Sequence, residues 1–411
     1  MSLFSTSQFA SSASGGQDWR EAAKAVLEDL RSANSSENYF NFGFLYISDH
    51  LAEDAESILN LFKSVLNIDN WVGGIGIGVC ANGEGFIDKP AISAMVAAFE
   101  PDEFQLFPPI NLEPDDADAC LKPWLDAHDP MLVFVNGDPM TEEDPALMLK
   151  NLEVMCDGFM VGGLTSSRKT HAQFAGEFYE GGLCGAVFST AIPVASTLSQ
   201  GCTVIGDMHT ITRCDGHEVI ELDERKASEV FEEELRTMVI KKSDIDPDTV
   251  MVDEKALNDP QALPEEFHSL IKGEVHAALP ISESDGNDYL VRNIIGINPD
   301  DGAMMLAQHV SNGDRLMFVH RDHDSVYSDL SSNLLALRKR VQNETGSFEP
   351  KGAIYVSCVA RAFNEFDGDH KNEMELIHDI IGDVPLTGFY AGGEINKGRL
   401  YGYTGILTLF L

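Results

Sequence analysis

Hydrophobic positions along the chain follow one pattern three times. Short runs rich in β-branched and aromatic residues begin at Phe44 (FLYIS), Leu132 (LVFVNG) and Ile354 (IYVSC), and such runs are typical of buried strands. Apolar residues at helical spacing follow each run, most clearly Ala55, Ile58, Leu59, Phe62, Val65 and Leu66 after the first. An apolar run with paired glycines comes next (WVGGIGIG, FMVGGLTSS, FYAGGEI), and one more strand closes the pattern. This order predicts three β-α-β-β units with parallel crossovers inside each unit.

The paired glycines recur at one place in this pattern. The first glycine of each pair, Gly73, Gly162 and Gly392, is therefore predicted to occupy an equivalent position in its unit. Glycine permits positive φ and a close approach of the backbone to a neighbour or a ligand, and we expect positive φ at Gly163. Because strand ends commonly build pockets, these turns are candidate ligand-binding segments. The alternative is that the glycines serve only tight packing.

Hydrogen-bonding side chains follow the second pair directly, in VGGLTSSRKTH. The candidate ligand-binding residues at the glycine turns are therefore Gly162, Gly163, Ser166, Ser167 and Gly393. Nucleophilic catalysis by a serine of this turn with His171, or by Cys358 with a histidine, is the alternative. Because the sequence contains no GxSxG or other nucleophile-elbow signature, we expect a binding protein and not an enzyme.

The chain length predicts more than one domain, because 411 residues exceed the roughly 100–200 residues of a single compact core. We expect an α/β (α+β) fold of two lobes, built from the repeated β-α-β-β units, with mixed sheets flanked by helices. The predicted parts are a disordered Ser-rich tip (1–17), an N-terminal helix (18–37), a first domain (38–235) and a second domain (236–411). The acidic, proline-bearing segment DPDTVMVDEKALNDPQALPEEF favours a boundary in this region.

Charge restricts the classes of partner. The chain has 28 Lys and Arg residues against 67 Asp and Glu residues, a formal net charge of −39, so nucleic acid and anionic membranes are poor partners. No apolar run reaches the roughly 18 residues of a membrane span, and no basic residue precedes Arg20 as a signal peptide would require. The seven cysteines form no CxxC pair and are typical of reduced thiols. We therefore expect a cytoplasmic protein that binds a small molecule.

Several motifs in a fixed order carry a family resemblance. GFLYIS, WVGGIGIGV, VGGLTSSRKTHAQ, YEGGLCGAVFS and SQGCTVIGDMHTITRCDGHEVIELDERKASEVF closely resemble the N-terminal FIST domain. VRNIIGINPDDGAMMLAQHVSNGDRLMFVHRD, the region from KGAIYVSCVARAF to FYAGGEI, and the ending YGYTGILTLF resemble the FIST C-terminal domain. The resemblance covers most of the chain after its first forty residues or so.

The resemblance implies a role in signal transduction. Such domains occur alone or fused to chemotaxis receptors, kinases or cyclic-nucleotide enzymes, and they are thought to bind small ligands such as amino acids. The sequence resembles the stand-alone form, so the resemblance implies a separate signalling partner, such as a histidine kinase or a cyclic-nucleotide enzyme.

Haem is the cofactor that the resemblance raises. Some members of the family are haem proteins that sense nitric oxide and regulate a histidine kinase, which is the alternative function. His171 and His209 lie in family-like stretches, and a neutral imidazole is a normal haem-iron ligand. The other interpretation is that both are hydrogen-bonded structural residues.

Three charged residues are candidate anchors for the ligand. Arg361 in SCVAR and Glu394 in AGGEI each follow an apolar strand of the third unit. Facing one pocket, they would offer a guanidinium to a carboxylate and a carboxylate to an ammonium. The alternative is that they form a structural ion pair with each other. Arg213 in HTITR is a second candidate anion anchor.

Overall fold

The computed structural model describes residues 9–33, 39–110, 115–243, 274–281, 288–364 and 372–411. Two compact units form, one from residues 1–200 together with 330–411 and the other from residues 201–329. The second unit is thus an insertion into the first, so the packing units differ from the predicted division between residues 235 and 236. The acidic segment at 246–267 lies outside the described residues.

The first repeat begins earlier than the sequence pattern predicts. Its elements are β1 (Phe9–Gly15), α1 (Trp19–Ala33), β2 (Phe42–Ser48), a 3-10 helix (Asp49–Asp54), α2 (Ala55–Leu66), β3 (Asn70–Gly76), β4 (Gly78–Ala81), β5 (Glu84–Ile87) and β6 (Ala91–Ala97). Strand β1 lies within the predicted disordered tip, and that prediction is wrong for these residues. The reason is that β1 pairs antiparallel with β6 along its whole length.

The second repeat has the same order of elements. These are β7 (Phe104–Ile110), α3 (Asp115–Leu125), β8 (Pro130–Gly137), α4 (Pro145–Cys156), β9 (Phe159–Leu164), β10 (Gln173–Ala175), β11 (Glu177–Tyr179) and β12 (Leu183–Ser189). Strand β13 (Val194–Ser199) then opens the third repeat.

The second unit interrupts the third repeat after β13. Its elements are β14 (Thr203–Asp215), β15 (Glu218–Leu222), β16 (Arg225–Lys226), α5 (Ala227–Ser243), β17 (Glu274–Pro280), β18 (Tyr289–Arg292), β19 (Ile294–Ile297), β20 (Met304–Leu306) and β21 (Arg315–Arg321). The strands form one antiparallel sheet in the order β18-β17-β21-β14-β15-β20-β19, with β16 beside β15.

The third repeat continues with α6 (His323–Thr345), β22 (Gly352–Cys358), α7 (Val359–Asn364), α8 (Glu373–Ile381), β23 (Leu386–Ala391), β24 (Gly393–Asn396), β25 (Arg399–Tyr401) and β26 (Gly405–Phe410). In every repeat one central strand pairs parallel with the next long strand and antiparallel with the last. These sets are β2 with β3 and β6, β8 with β9 and β12, and β22 with β23 and β26. The predicted β-α-β-β order is therefore confirmed.

Each repeat also sends a hairpin into the sheet of another repeat. The hairpin β10–β11 pairs with β3, β24–β25 pairs with β9, and β4–β5 pairs with β23. The result is three six-stranded sheets, each containing two strands from a different repeat. The sheets share a core that includes Phe44, Phe134, Phe188, Phe389 and Phe410, while α1 and α2 cover a separate core on the first sheet. The exchange links the repeats by backbone hydrogen bonds as well as by packing.

The glycine equivalence predicted from the sequence holds for two of its three members. Gly73 lies opposite Leu45, and Gly162 lies opposite Val135 at the same point of the second sheet. The third member is Gly388, opposite Tyr355, and the prediction of Gly392 is wrong. A Cβ atom at Gly73, Gly162 or Gly388 would lie within 1.9 Å of the facing carbonyl oxygen. Gly392 lies instead at the junction between β23 and β24, where its N–H donates to Leu164 O at 2.9 Å.

Within the described ranges, no helix combines the length and the apolar character needed to cross a membrane.

Candidate functional site

The turn after β9 is where the three repeats meet. Thr165 N donates to Gly137 O of its own repeat at 2.7 Å, and Ser166 N donates to Ile75 O of the first repeat at 3.1 Å. The Ser166 hydroxyl, which is buried, donates to the carbonyl of Tyr390 in the third repeat. All of these contacts satisfy backbone groups at the ends of β3, β8 and β23. Ser166, a predicted ligand-binding residue, therefore joins the repeats to one another.

The other candidates of this turn have local partners. Ser167 Oγ accepts from Lys169 N at 3.0 Å, which closes a tight turn. His171 Nδ1 lies 3.1 Å from the Thr165 hydroxyl. Both contacts shape the turn on which these side chains lie.

Arg168, which the sequence analysis passed over, anchors the same turn on the first repeat. Its Nε and Nη2 donate to the two carboxylate oxygens of Asp49 at 2.8 and 2.9 Å, and Nη2 lies 2.6 Å from Asp88. Burial raises the pKa of Asp49, but the hydrogen bonds and charge of Arg168 outweigh it and the net pKa is lowered. His50 also lies within 3.5 Å of both carboxylates. We call this cluster the Arg168 clamp, because it ties the turn to the first repeat.

A buried row of residues crosses the second sheet next to the meeting point. Asn136 on β8 lies opposite Gly163 on β9, and Gly163 lies opposite Glu394 on β24. Paired residues on neighbouring strands point to the same face, so Asn136 and Glu394 flank the bare backbone of Gly163. We call Asn136, Gly163 and Glu394 the first polar row. Asn136 and Glu394 are fully buried.

Packing, and not backbone conformation, explains the glycine in this row. Positive φ belongs to Gly162, at 149°, and the positive φ expected at Gly163 is wrong. A Cβ atom at Gly163 would lie 2.8 Å from Val356, 2.9 Å from Ala391 and 3.1 Å from Phe389. The third repeat thus closes directly over the row, in the core shared by the three sheets.

Three polar atoms of the first polar row have no hydrogen-bond partner among the described residues. They are Glu394 Oε1 and both amide atoms of Asn136. The other oxygen of Glu394 accepts from Thr404 N at 3.0 Å and from the Thr404 hydroxyl at 2.9 Å. Burial raises the pKa of Glu394 to about 8, against the opposing effects of Thr404, Cys358 and Arg361. Each such buried polar atom costs about 1–3 kcal/mol when it stays unpaired.

The equivalent row in the first sheet is also polar. Tyr46 lies opposite Gly74, and Gly74 lies opposite Gln173; we call these three residues the second polar row. The Tyr46 hydroxyl and Gln173 Oε1 have no partner among the described residues. Phe389 occupies the equivalent position in the third sheet, where the row is apolar. Its ring stacks on that of Tyr46 with centroids 4.7 Å apart. Phe389 therefore contacts both polar rows, Gly163 of the first and Tyr46 of the second.

The sequence reasoning missed Asn136, Tyr46 and Gln173. Asn136 did leave a signal, since it is a lone amide in the apolar strand LVFVNG. Gln173 and Tyr46 left none, because only the exchanged hairpin brings Gln173 beside β3.

Arg361 and Glu394 do not pair with each other. Arg361, fully buried on α7, donates from Nε and Nη2 to Glu373 Oε1 at 2.8 and 2.6 Å. Tyr355 and Ser357 donate to the same carboxylate at 2.5 and 2.9 Å. Arg361 Nη1 also lies 3.3 Å from Tyr403 O, next to the Thr404 that holds Glu394. The two predicted anchors are thus neighbours with separate partners.

The remaining candidates lie apart from the polar rows. Arg213 on β14 of the second unit pairs with Glu221 at 2.9 Å and is more than half exposed. Gly393 lies on β24 beside Glu394, and a Cβ atom there would lie 2.9 Å from Leu400. His209 on β14 lies 2.7 Å from Asp223 through Nδ1 and 3.1 Å from Glu234 through Nε2.

These contacts test the fit of haem. An axial histidine needs a ring nitrogen free for iron, and both nitrogens of the buried His209 face carboxylates. His209 does not fit this role. His171 is held through Nδ1 to Thr165 in the turn where the repeats meet, and it belongs to the other packing unit. The Nδ1 atom of His171 is therefore already engaged within the fold.

Comparison with known proteins finds relatives that are similar to about half of this chain. An uncharacterised protein of Mycobacterium tuberculosis strain H37Rv is 28% identical over 220 residues, which is 53% of this chain and 50% of that protein. An uncharacterised protein of Mycobacterium bovis is 27% identical over 221 residues, covering 52% of this chain and 50% of that protein. The matched segment spans about half the length of each relative.

Two family models cover most of the chain. The FIST N domain matches residues 41–225, which include the first two repeats from β2 onward, and the FIST C domain matches residues 248–397. FIST domains are associated with sensing in signal transduction. The chain belongs to the FIST family.

Proposed function

We propose that this protein is an intracellular sensor that binds a small polar molecule at the first polar row and signals through a separate protein. The observation that carries the proposal is that Asn136 and Glu394, both fully buried, carry three polar atoms with no hydrogen-bond partner in the described part of the chain. Buried polar groups are nearly always hydrogen-bonded, so groups that the described residues leave unpaired favour a partner such as a bound ligand.

The position of the row supports a signalling role. Asn136 and Gly163 belong to the second repeat, whereas Glu394 is on the hairpin from the third. A ligand bonded to both Asn136 and Glu394 would favour the state in which this hairpin is docked. A ligand shifts an equilibrium only through different affinities for two states, and a site shared by two repeats provides such a difference. The separate partner would be a histidine kinase or a cyclic-nucleotide enzyme.

Binding without turnover is part of the proposal. Part of its support is that burial raises the pKa of the Cys156 thiol to about 12 and also raises that of Cys184. A thiol in such surroundings is a poor nucleophile, because the thiolate is the reactive form. Ser166 is likewise committed to the carbonyl of Tyr390.

A thermal-shift screen of amino acids, amines and small acids tests this function. A ligand at one hundred times its dissociation constant should raise the free energy of unfolding by about 2.7 kcal/mol. Asn136→Leu should abolish that gain while leaving the ligand-free protein equally or more stable, because it removes two unpaired atoms. Glu53→Gln, at a side chain that is 77% exposed, is the matched control and should respond like the parent. A screen without hits, or a hit that Asn136→Leu binds equally well, would reject the proposal.

A further inference from the structure

We propose that the ligand group recognised at the first polar row is a primary ammonium; this inference rests on the proposed function. Once Glu394 is ionised, the row offers two acceptor oxygens, Glu394 Oε1 and Asn136 Oδ1, against one donor group, Asn136 Nδ2, and none of these atoms has a partner among the described residues. An ammonium carries three donors and no acceptor, and it is small enough to bond to several oxygens at once. A carboxylate would place its own oxygens beside that of Glu394.

The buried cation nearest to the row is already neutralised. Arg361 is the one buried arginine or lysine among the described residues of the first unit, and Glu373 holds its Nε and Nη2. Tyr355 and Ser357 on β22 donate to the same Glu373 carboxylate as Arg361. The residues that alternate with them along the strand, Ile354 and Val356, pack in the core shared by the three sheets. Successive strand residues point to opposite faces, so this ion pair lies on the other face of β22 from the core over Gly163. Arg361 is the last and smallest of the effects on the pKa of Glu394, so a ligand carboxylate in the row would gain little from its charge.

The balance of charge and protons follows from burial. Without a ligand, the fully buried Glu394 carboxyl group is poorly solvated, so its pKa is raised to about 8 and the neutral acid predominates at pH 7. An ammonium beside Oε1 favours the charged form. Binding therefore converts a carboxylic acid and an ammonium into an ion pair, and one proton leaves to solvent. The buried site stays neutral overall, because the incoming charge replaces the proton.

Three probes of one size distinguish the ligand classes: n-propylammonium, propionate and n-propanol. Isothermal titration of the full chain at pH 7 should detect binding of n-propylammonium, with release of close to one proton. Repeating the titration in two buffers of different ionisation enthalpy measures that proton directly on the parent protein. Affinity for n-propylammonium should rise as pH rises toward 8, since less work is then needed to deprotonate Glu394.

Variants separate this inference from the sensor function. Glu394→Gln keeps the shape but loses the charge, and it should weaken n-propylammonium binding on the order of tenfold to a hundredfold. Glu53→Gln should leave it unchanged. Binding of propionate or n-propanol in preference to n-propylammonium, or n-propylammonium binding without proton release, would overturn the ammonium assignment and leave the sensor function standing. A general screen in which no compound binds the parent would overturn both.

Discussion

Arg361 forms a buried ion pair with Glu373, whereas Glu394 accepts its hydrogen bonds from Thr404. The guanidinium donates to Glu373 Oε1 at 2.6 and 2.8 Å, and both side chains are nearly inaccessible to solvent. The pair joins α7 to the first turn of α8, across residues 365–371, which lie outside the described residues. Arg361 therefore stabilises the ends of two helices.

Truncating this pair should destabilise the protein strongly. Arg361→Ala leaves the Glu373 carboxylate buried without its counter-charge, and breaking a buried pair costs about 3–5 kcal/mol. Urea unfolding of the full chain measures the loss. Arg213→Ala is the matched control, because its pair with Glu221 is largely exposed and such pairs contribute about 1 kcal/mol or less. Equal losses in the two variants would contradict the structural role.

The threefold relationship gives a prediction about glycines. A Cβ atom at Gly73, Gly162 or Gly388 would meet the facing carbonyl oxygen at 1.8–1.9 Å, so alanine at any of the three should cause a similar, large loss of stability. Gly392→Ala should cost less, because its nearest contact would be 3.0 Å from Thr165 O. Gly296→Ala is the control, with nothing within 4 Å of the added atom. Chemical denaturation ranks the five variants. A ranking in which Gly392 joins Gly73 and Gly162 while Gly388 does not would contradict the register.

The sequence predicted the repeat but not its exchange. Hydrophobic spacing reports which face of a strand is buried, and it therefore located β2, β8 and β22 and the helices after them. It does not report which strand lies alongside, so nothing predicted that β10 would pair with β3. Gly388 was missed for a similar reason, because a single glycine in LTGFYA lacks the paired signal that drew attention to Gly392.

The candidate site was predictable in part. Gly163 and Glu394 were found because both follow from the glycine turns, and they do lie opposite each other. Their partner Asn136 was passed over because an isolated amide in a strand is usually hydrogen-bonded, and only the structure shows that it has no partner among the residues described. Strand β1 was missed because FASSASG has the small polar composition of a disordered segment, although its pairing with β6 orders it.

Stability should depend on pH through Glu394. Its pKa in the folded protein is about 8, above the value of about 4.3 for an unfolded glutamate, so the folded state holds more protons between these values. Stability should therefore fall as pH rises from about 4.5 to 8, by up to about 1.4 kcal/mol per pH unit from this group, and then level off. Glu394→Gln should remove this contribution. The free energy of unfolding of the variant should therefore rise relative to that of the parent as pH increases across the same range. Urea unfolding at several pH values tests it, with Glu53→Gln as control. Parallel curves for parent and Glu394→Gln would show that Glu394 is ionised in the fold.

The Arg168 clamp should depend on pH in the opposite direction. Asp49 is nearly inaccessible and its pKa is lowered, because the hydrogen bonds and charge of Arg168 outweigh its burial. A lowered pKa gives stabilisation that is complete above the unfolded value of about 3.9 and is lost as pH falls through the folded value. Arg168→Gln should therefore cost about 1.5 kcal/mol near neutral pH, at the low end for charged hydrogen bonds because the guanidinium is 51% exposed, and less in acid. The neighbouring Lys169→Gln is the control, since its pair with Glu53 is exposed on both sides and should contribute little at any pH. Unfolding midpoints from pH 3 to pH 7 distinguish the two. A loss for Arg168→Gln that stays constant down to pH 3 would mean that packing of the arginine stem, and not its bonds to Asp49, holds the turn in place.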